Sequence, residues 1–363
     1  MIGAGVAGLS AAIALAQIGA NVSIQEQATA FEDVGAGLQL SPNAMRALTA
    51  LGVTPRVTGL SQLSMYDGLS GAWLGQFRLS HKDMPYCVAH RADLIDALVV
   101  RAGVLSIPIE MGAEATPNPT VDLVVGADGV RSTVRDLISP ATPRFTGKQA
   151  WRALIPANDL DASWVQNGLQ VFLGPKAHLV TYPMRDDKVV NVVAITNAER
   201  GVEERWRQKG DGALMRAGFA GWSAPVWSLL EQIDEPLMWG LFDHATLKSW
   251  HDDRHVLVGD AAHPMVPFFA QGAAMALEDA VMLARCLRQG PQAKALERFQ
   301  AMRKPRTSAV SRAAGANSRL FHFSHPFLRL GRRAVMPVAS TLAPFVFSRR
   351  YNWVYGYDAK TAR

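Results

Sequence analysis

The stretch Gly3-Ala4-Gly5-Val6-Ala7-Gly8 constrains the fold more than any other feature of this chain. Glycines in a G-x-G-x-x-G spacing allow a tight turn at Gly3, bare backbone facing a pyrophosphate at Gly5 and close helix–strand packing at Gly8. The spacing predicts a helix over 7–18, ended by Gly19, and then a strand over 21–25. Such a helix offers unpaired N–H groups and its positive dipole end to phosphate. The spacing alone is weak evidence, but Glu26 follows the strand, where an acid can accept both ribose hydroxyls. Ala7 and Gln27 are placed with Gly3, Gly5, Gly8 and Glu26 as cofactor-binding positions. The fingerprint does not separate FAD from NAD, while Glu26 disfavours the 2′-phosphate of NADP. Only Met1 and Ile2 precede Gly3. The first strand is therefore expected to be clipped, by trimming or by a misplaced start, with a weakened grip on the cofactor.

Further along, residues 61–80 hold alternating runs broken by Gly68, Gly71 and Gly75, which predict antiparallel strands. A helix is predicted over 92–101 and a fully apolar, buried strand over 121–125. Strand-like segments at 169–173, 178–183 and 188–196 suggest a second, antiparallel layer over 151–247. A buried strand returns at 255–258, and a long helix runs from Gly272 to about Arg288. The tail, 295–363, is expected to be helical with stops at Pro305, Pro326, Pro337 and Pro344.

Two later motifs carry chemistry. In Val125-Gly126-Ala127-Asp128-Gly129-Val130-Arg131-Ser132 a buried strand runs into a Gly-Ala-Asp-Gly turn. In Val258-Gly259-Asp260-Ala261-Ala262-His263-Pro264 a strand delivers Asp260 to a loop, and a small-residue helix follows from Gly272. An aspartate there can bind a polyol hydroxyl. Exposed N–H groups at Gly272, Ala273 and Ala274 can stabilise negative charge on a ligand.

Taken together, GAGVAGL at the start, VGAGLQLSPNAMRAL at 34–48, HRADL at 90–94, VGADGVRS at 125–132, YPMR at 182–185, VGDAAHPMVPFFAQGAAMALEDA at 258–280 and YNWVYGYDA at 351–359 resemble the FAD-dependent aromatic hydroxylases of the para-hydroxybenzoate hydroxylase fold. The resemblance is strongest to the salicylate hydroxylase and 3-hydroxybenzoate 6-hydroxylase branch. It implies an α/β fold: a Rossmann-like FAD-binding domain (1–60, 88–150 and 248–305), an inserted antiparallel-sheet substrate domain (61–87 and 151–247) and a helical C-terminal tail (306–363). It also implies that NAD(P)H, a transient co-substrate without a Rossmann domain of its own, reduces the flavin. A C4a-hydroperoxide then hydroxylates a small aromatic acid, salicylate- or hydroxybenzoate-like, with O2. Glu26 would bind the adenosine ribose, Arg91 the pyrophosphate or ribityl chain, and Asp260 the ribityl chain or pyrophosphate. Asp128 would serve both FAD and the nicotinamide nucleotide. The span 105–120 is shorter than the β-hairpin region relatives carry, a second reason to expect weaker FAD binding.

Candidates for the reacting side are few. Gln271 precedes the flavin-facing helix, Tyr182 lies on a predicted inner strand, and Pro264 and Phe269 are expected to wall the pocket. His263 is expected beside the flavin loop, more as packing than as a proton carrier. Residues 178, 180 and 182 share one strand face, so His178 is a further acid–base candidate. A histidine that relatives can place near Thr181 is missing. Gln39 is a candidate for the pyrimidine side or the substrate. Arg152 and Arg185 are candidates for a substrate carboxylate.

The formal charge of +6 comes without a run of five basic residues, which argues against nucleic acid and fits attraction of anions. Two cysteines, Cys87 and Cys286, with no CxxC, exclude a disulfide framework and a zinc site; no metal is expected, and a reducing cytoplasm fits. No run of 18 uncharged apolar residues predicts a transmembrane helix. Phe321, Phe323, Phe327, Phe345 and Phe347 are expected to serve core or dimer packing, in a monomer or homodimer, although the basic stretch 329–333 beside them keeps weak membrane contact open. Two other functions stay open: hydroxylation of a polyketide, quinone precursor or purine, and a degraded FAD-binding member without activity.

Overall fold

The residues around Gly3 build the centre of a parallel layer in this computed structural model. It describes residues 1–31, 37–79, 84–114, 120–166, 168–198, 208–243, 245–322, 325–342 and 344–362, without the side chains of 208, 319, 320, 326, 328 and 344–349. Ile2 bridges in parallel to Gln25 on one side and Gly126 on the other. Its N–H donates to Val125 O (3.0 Å), Gly3 N to Gln25 O (2.8 Å), Gln25 N to Met1 O (2.9 Å) and Ala127 N to Ile2 O (2.8 Å). Two residues thus do the bridging expected of a longer strand. The layer runs Ile109–Met111, Ile24–Glu26, Ile2, Val124–Gly126 and His255–Leu257, all parallel. Its faces are covered by apolar helices, as a parallel layer requires.

The first helix is Val6–Ala16, whose residues Gly8–Leu15 are all buried. A Cβ on Gly8 would stand 1.8 Å from Gly3 O, and one on Gly3, at φ +96°, would stand 2.6 Å from Ala127 O. Both glycines are therefore demanded by backbone packing. The helix Gly272–Arg288 lies against this first helix. Leu9, Ile13, Ile24, Val125, Val256 and Leu277 are part of the shared core.

An eight-stranded sheet forms the second layer, in the order Gln208–Lys209, Leu237–Asp243, Arg144–Pro156, Val189–Asn197, Ala177–Met184, Leu169–Gly174, Gln62–Asp67 and Trp73–Arg78. It is antiparallel except where Leu169–Gly174 runs parallel to Gln62–Asp67. Its outer face packs Trp151, Leu179, Val192 and Ala194 with Met215, Val226 and Leu229 of two short helices, Gly212–Ala217 and Ala224–Glu231. The inner face, carrying His178, Val180 and Tyr182, turns toward the parallel layer. A smaller sheet, Gly37–Leu40, Tyr86–His90 and Thr58–Leu60, joins the two. Gly37 N donates to Asn191 Oδ1 on the large sheet (2.8 Å).

The tail comprises Gln292–Phe321, Pro326–Leu342 and Pro344–Tyr355. Pro326 and Pro344 begin helices, but the expected stops at Pro305 and Pro337 are not there: both lie inside helices. An internal proline forfeits one hydrogen bond. Around Pro305, strong tertiary bonds on both flanks hold the helix. Arg303, fully buried, donates to Asp279 Oδ1 and Glu278 Oε2, each at 2.6 Å, and Arg306 donates to Glu278 through Nε (2.6 Å) and Nη2 (2.7 Å). Beyond Pro337, the hydroxyls of Ser340 and Thr341 both donate to Pro337 O at 2.9 Å. No described helix is long and apolar enough to cross a membrane.

The buried clasp yields a test. Arg303→Met leaves Glu278 and Asp279 short of a partner in a dry interior. The expected loss is about 3–5 kcal/mol of unfolding free energy in denaturant titration, against no measurable loss for Lys209→Ala at the exposed Lys209–Glu235 pair. Equal midpoints for the two variants would contradict the assignment.

Candidate active site

Two helices begin at one cavity without a side-chain cap. The Val6–Ala16 helix starts at Gly5 and the Gly272–Arg288 helix at Gln271, and neither has an acid in its first turn. Gly5, Ala7, Gly272 and Ala273 all line a cavity of about 320 Å³. A Cβ placed on Gly5 or on Gly272 would meet nothing within 4 Å. Bare N–H groups at two positive helix ends thus face one space, an arrangement suited to anionic or electron-rich ligand groups. Asp260 lines the same cavity, together with Gly37, Arg91, Ala127 and Gly129. Burial pushes the Asp260 carboxyl up, opposed by His263 and Arg91. Two anion-favouring helix ends, a basic side chain and an acid able to take polyol hydroxyls fit a phosphate-bridged dinucleotide spanning Gly5 to Asp260.

On the opposite wall the large sheet contributes Arg152, His178, Val180 and Tyr182. The predicted alternation is observed, and Thr181 is buried on the other face. The Arg152 guanidinium lies over the Trp239 ring, 4.8 Å from its centroid, and donates to Gly37 O at 3.4 Å. Its Nε is buried with no partner among the described residues. Burial pulls its pKa down, partly offset by the neighbouring Tyr182 hydroxyl. Burial likewise raises the Tyr182 phenol far above its usual range. His178 Nδ1 lies 2.8 Å from His322 Nε2, and His322 Nδ1 lies 2.9 Å from Lys148 Nζ, which also donates to Asn197 Oδ1 (3.0 Å). Burial, then His322 and Lys148, hold His178 well below 6.5; burial, then Lys148, lower His322 to about 3. The stretch is a hydrogen-bonded chain from the cavity to the protein surface.

Other predicted positions lie behind the wall. Gln271 is buried, its Oε1 accepting from Asn43 Nδ2 and its Nε2 donating to Ser41 Oγ, both at 3.0 Å. Asn43 Nδ2 also donates to Glu278 Oε1 (2.8 Å). His263 Nε2 is 2.6 Å from Asp279 Oδ2, which also accepts from Gly259 N (2.9 Å). Burial alone would raise Asp279, but His263 and Arg303 hold it below its ordinary value. Pro264 and Ala274 are buried, and Pro267 takes the proline place in the wall. Glu26 accepts from Ala4 N (2.6 Å) and Ala28 N (2.9 Å), and Gln27 is exposed. Asp128 caps the following helix, accepting from Ser132 Oγ (2.5 Å) and Thr133 N (2.7 Å). Arg185 is paired with Asp93 at 3.0 Å. Phe269 lines a second, larger cavity, Gln39 lines both cavities, and Gln39 Oε1 accepts from Tyr86 OH (2.6 Å). Phe321 packs on His178, and Phe327 is exposed. Phe323 and the side chains of Phe345 and Phe347 lie outside the described residues, as do parts of the 34–48 and 105–120 segments. Gly37, Pro267 and the His322–Lys148 chain escaped the sequence reading. A Gly37 Cβ would stand 2.6 Å from Tyr182, a contact between distant segments with no local signal.

Residues 112–314 match the family model described as an FAD binding domain. The 3-amino-4-hydroxybenzoate 2-monooxygenase of Streptomyces platensis is 33% identical over 99% of this chain and 96% of its own length. The chain belongs to the FAD-dependent aromatic hydroxylases. The 3-hydroxybenzoate 6-hydroxylase of Klebsiella oxytoca is 31% identical over 98% of this chain and 96% of its own. A salicylate hydroxylase solved as a substrate complex shares the fold, with a TM-score of 0.78 at 24% identity, covering 99% of this chain and 95% of that one.

Two outcomes are expected. Gly5→Val adds a side chain only to cavity space, so the cofactor-free protein should keep its thermal midpoint while FAD affinity, followed by flavin fluorescence quenching, falls at least about tenfold (~1.4 kcal/mol). A lower midpoint with unchanged affinity would place Gly5 in the packing instead. The second concerns pH. His178 and His322 have folded pKa values below the usual 6.5, so the unfolded chain takes up protons first as pH falls. Their contribution to stability is present above about pH 6.5 and is lost as pH falls toward the folded values. The denaturation midpoint should decline below about pH 6.5, and less so in a His178→Gln/His322→Gln double variant.

Proposed function

We propose that this chain is a single-component FAD-dependent monooxygenase that hydroxylates a small aromatic acid with NAD(P)H and O2. One observation carries the site assignment: Gly5, Asp260 and Gly272 line the same cavity as Arg152, His178 and Tyr182. Gly5, Ala7 and Arg91 hold the pyrophosphate end, Gly3 and Gly8 shape its turn, and Glu26 meets the ribose. Asp260 holds the ribityl chain, and Gly272 and Ala273 face the flavin's electron-rich edge. Bound FAD supplies electron transfer from NAD(P)H and activation of O2.

The chain's own residues do the rest. Arg152 and Tyr182 orient a carboxylate against the sheet. Gln271 and His263 act as positioning residues, fixing the helix start and the Asp260 loop; Asp128 does the same for the Gly126–Gly129 turn. The apolar walls, Val180 and Pro267 among them, exclude water. His178 takes the proton of the ring hydroxyl, making the ring more electron-rich. The His322–Lys148 chain behind His178 holds its Nδ1 and so orients the ring at the cavity wall. Residues 1–60, 88–150 and 248–305 form the FAD unit, 61–87 and 151–247 the substrate unit and 306–363 the tail, with the sheet strand Arg144–Pro156 crossing from the first unit into the second. A reducing cytoplasm accords with two free, buried cysteines; the exposed Phe327 and Leu330 fit weak membrane contact.

The test is direct. The purified protein should carry a flavin spectrum, and hydroxybenzoates should accelerate NAD(P)H oxidation with O2 uptake and a product heavier by one oxygen. Arg152→Met should raise KM for carboxylated substrates about 10- to 100-fold (~1.5–3 kcal/mol for a charged hydrogen bond), with kcat held. His178→Asn should lower product formation about 10²-fold or more without slowing flavin binding. Unchanged kinetics in both variants would remove the sheet wall from the reaction.

A further inference from the structure

Next to the flavin cavity lies a chamber of about 620 Å³. The two share Gln39, His178, Val180, Pro267 and Ala270, so the chamber opens onto the place where the ring reacts. We propose that the acceptor hydroxylated here is an aromatic acid or phenol bearing an apolar substituent of several carbons or a second ring, with the substituent housed in this chamber. The inference rests on the monooxygenase reading and names the substrate class within it.

Volume and chemistry carry the case. Cavities of about 300–1,000 Å³ enclose drug-sized ligands, so a single-ring acid would leave most of this one unfilled. The sheet supplies Leu63, Met65 and Val171, and the tail supplies Met336, Ala339 and Tyr351. Among the described residues its only charged lining groups are Arg332 and Arg350. Arg332 is held by Asp67 (3.6 Å) and by Leu173 O (3.2 Å), and so faces an internal partner. Among the described residues nothing acidic lines the chamber, so a cationic substituent finds no counter-charge from them. The polar groups gather at the other end, where Arg152, His178 and Tyr182 meet the flavin cavity. An amphipathic aromatic, polar head at the sheet wall and apolar body in the chamber, satisfies both ends. Apolar surface moved from water onto these walls stabilises a complex in proportion to its area. Each methylene moved from water to the chamber is worth about fourfold in affinity (~0.8 kcal/mol).

The experiment measures kcat/KM of the holoenzyme for 3-hydroxybenzoate and for hydroxybenzoates carrying methyl, propyl, pentyl or phenyl groups at each open ring position. The best pentyl or phenyl compound should exceed the parent by at least about 50-fold, three methylenes' worth. Ala339→Trp and Val335→Trp fill the chamber from an exposed helix that tolerates the change. Each should cut kcat/KM for the long compound more than about tenfold and leave the parent within about threefold. A parent acid that matches or beats every substituted compound overturns the proposal, as does an unchanged preference in both variants. If no hydroxybenzoate is turned over, the monooxygenase reading fails separately. The chamber is then judged by flavin absorbance titration with 4-pentylphenol: binding that both tryptophan variants abolish supports the chamber, and no binding to the unaltered protein overturns it.

Discussion

Everything at the site hangs from a charge cluster sealed in the interior. Glu278 and Asp279, adjacent on the Gly272–Arg288 helix, meet Arg303 and Arg306 from the Gln292–Phe321 helix. Charges in such a place are tolerable only when fully paired and hydrogen-bonded. That requirement over-determines the positions of everything attached. Asp279 also grips Gly259 N and His263, and so sets the loop that carries Asp260. Glu278 also grips Asn43, which holds Gln271 at the helix start. Arg306 reaches on to Trp353 O and Val354 O, and its guanidinium covers the Tyr357 ring at 3.6 Å, tying the end of the tail to the same point. The helix end at Gly272 is thus aimed by groups that are not among the cavity's lining.

This arrangement separates two tasks that a single wall could not perform. The parallel layer offers bare backbone, because a side chain at Gly5 would occupy ligand space and one at Gly8 would collide with Gly3 O. Helix ends and glycines hold charge-bearing ligand groups without presenting anything that could react. The large sheet offers side chains instead. Its alternation sets Trp151, Leu179 and Val192 into one core and turns His178, Val180 and Tyr182 the other way. Bare helix ends and titratable side chains therefore occupy opposite faces of one space.

Local chemistry accounts for much of what could be read in advance. The fingerprint glycines, the strand into Gly126 and the Gly272–Arg288 helix follow from backbone demands and apolar periodicity, which neighbouring residues alone express. The strand face of 178, 180 and 182 follows from the two-residue period in the same way. Prolines misled for an understandable reason: a single lost hydrogen bond weighs little where a helix is anchored on both sides by buried ion pairs, as around Pro305.

The sequence by itself determined that this chain makes a dinucleotide-type parallel layer and that its motifs are those of the FAD-dependent aromatic hydroxylases, because glycine spacing and strand–turn–helix order are local properties. Only the tertiary structure decided that Gln271 and His263 brace the cavity wall from behind, that Arg152 lines the cavity with its Nε unpartnered among the described residues, and that His178 connects through His322 to Lys148 at 2.8 and 2.9 Å. Those facts join residues up to 230 positions apart in the chain. Burial and partner, unlike turn and period, are set by what folds back from far away.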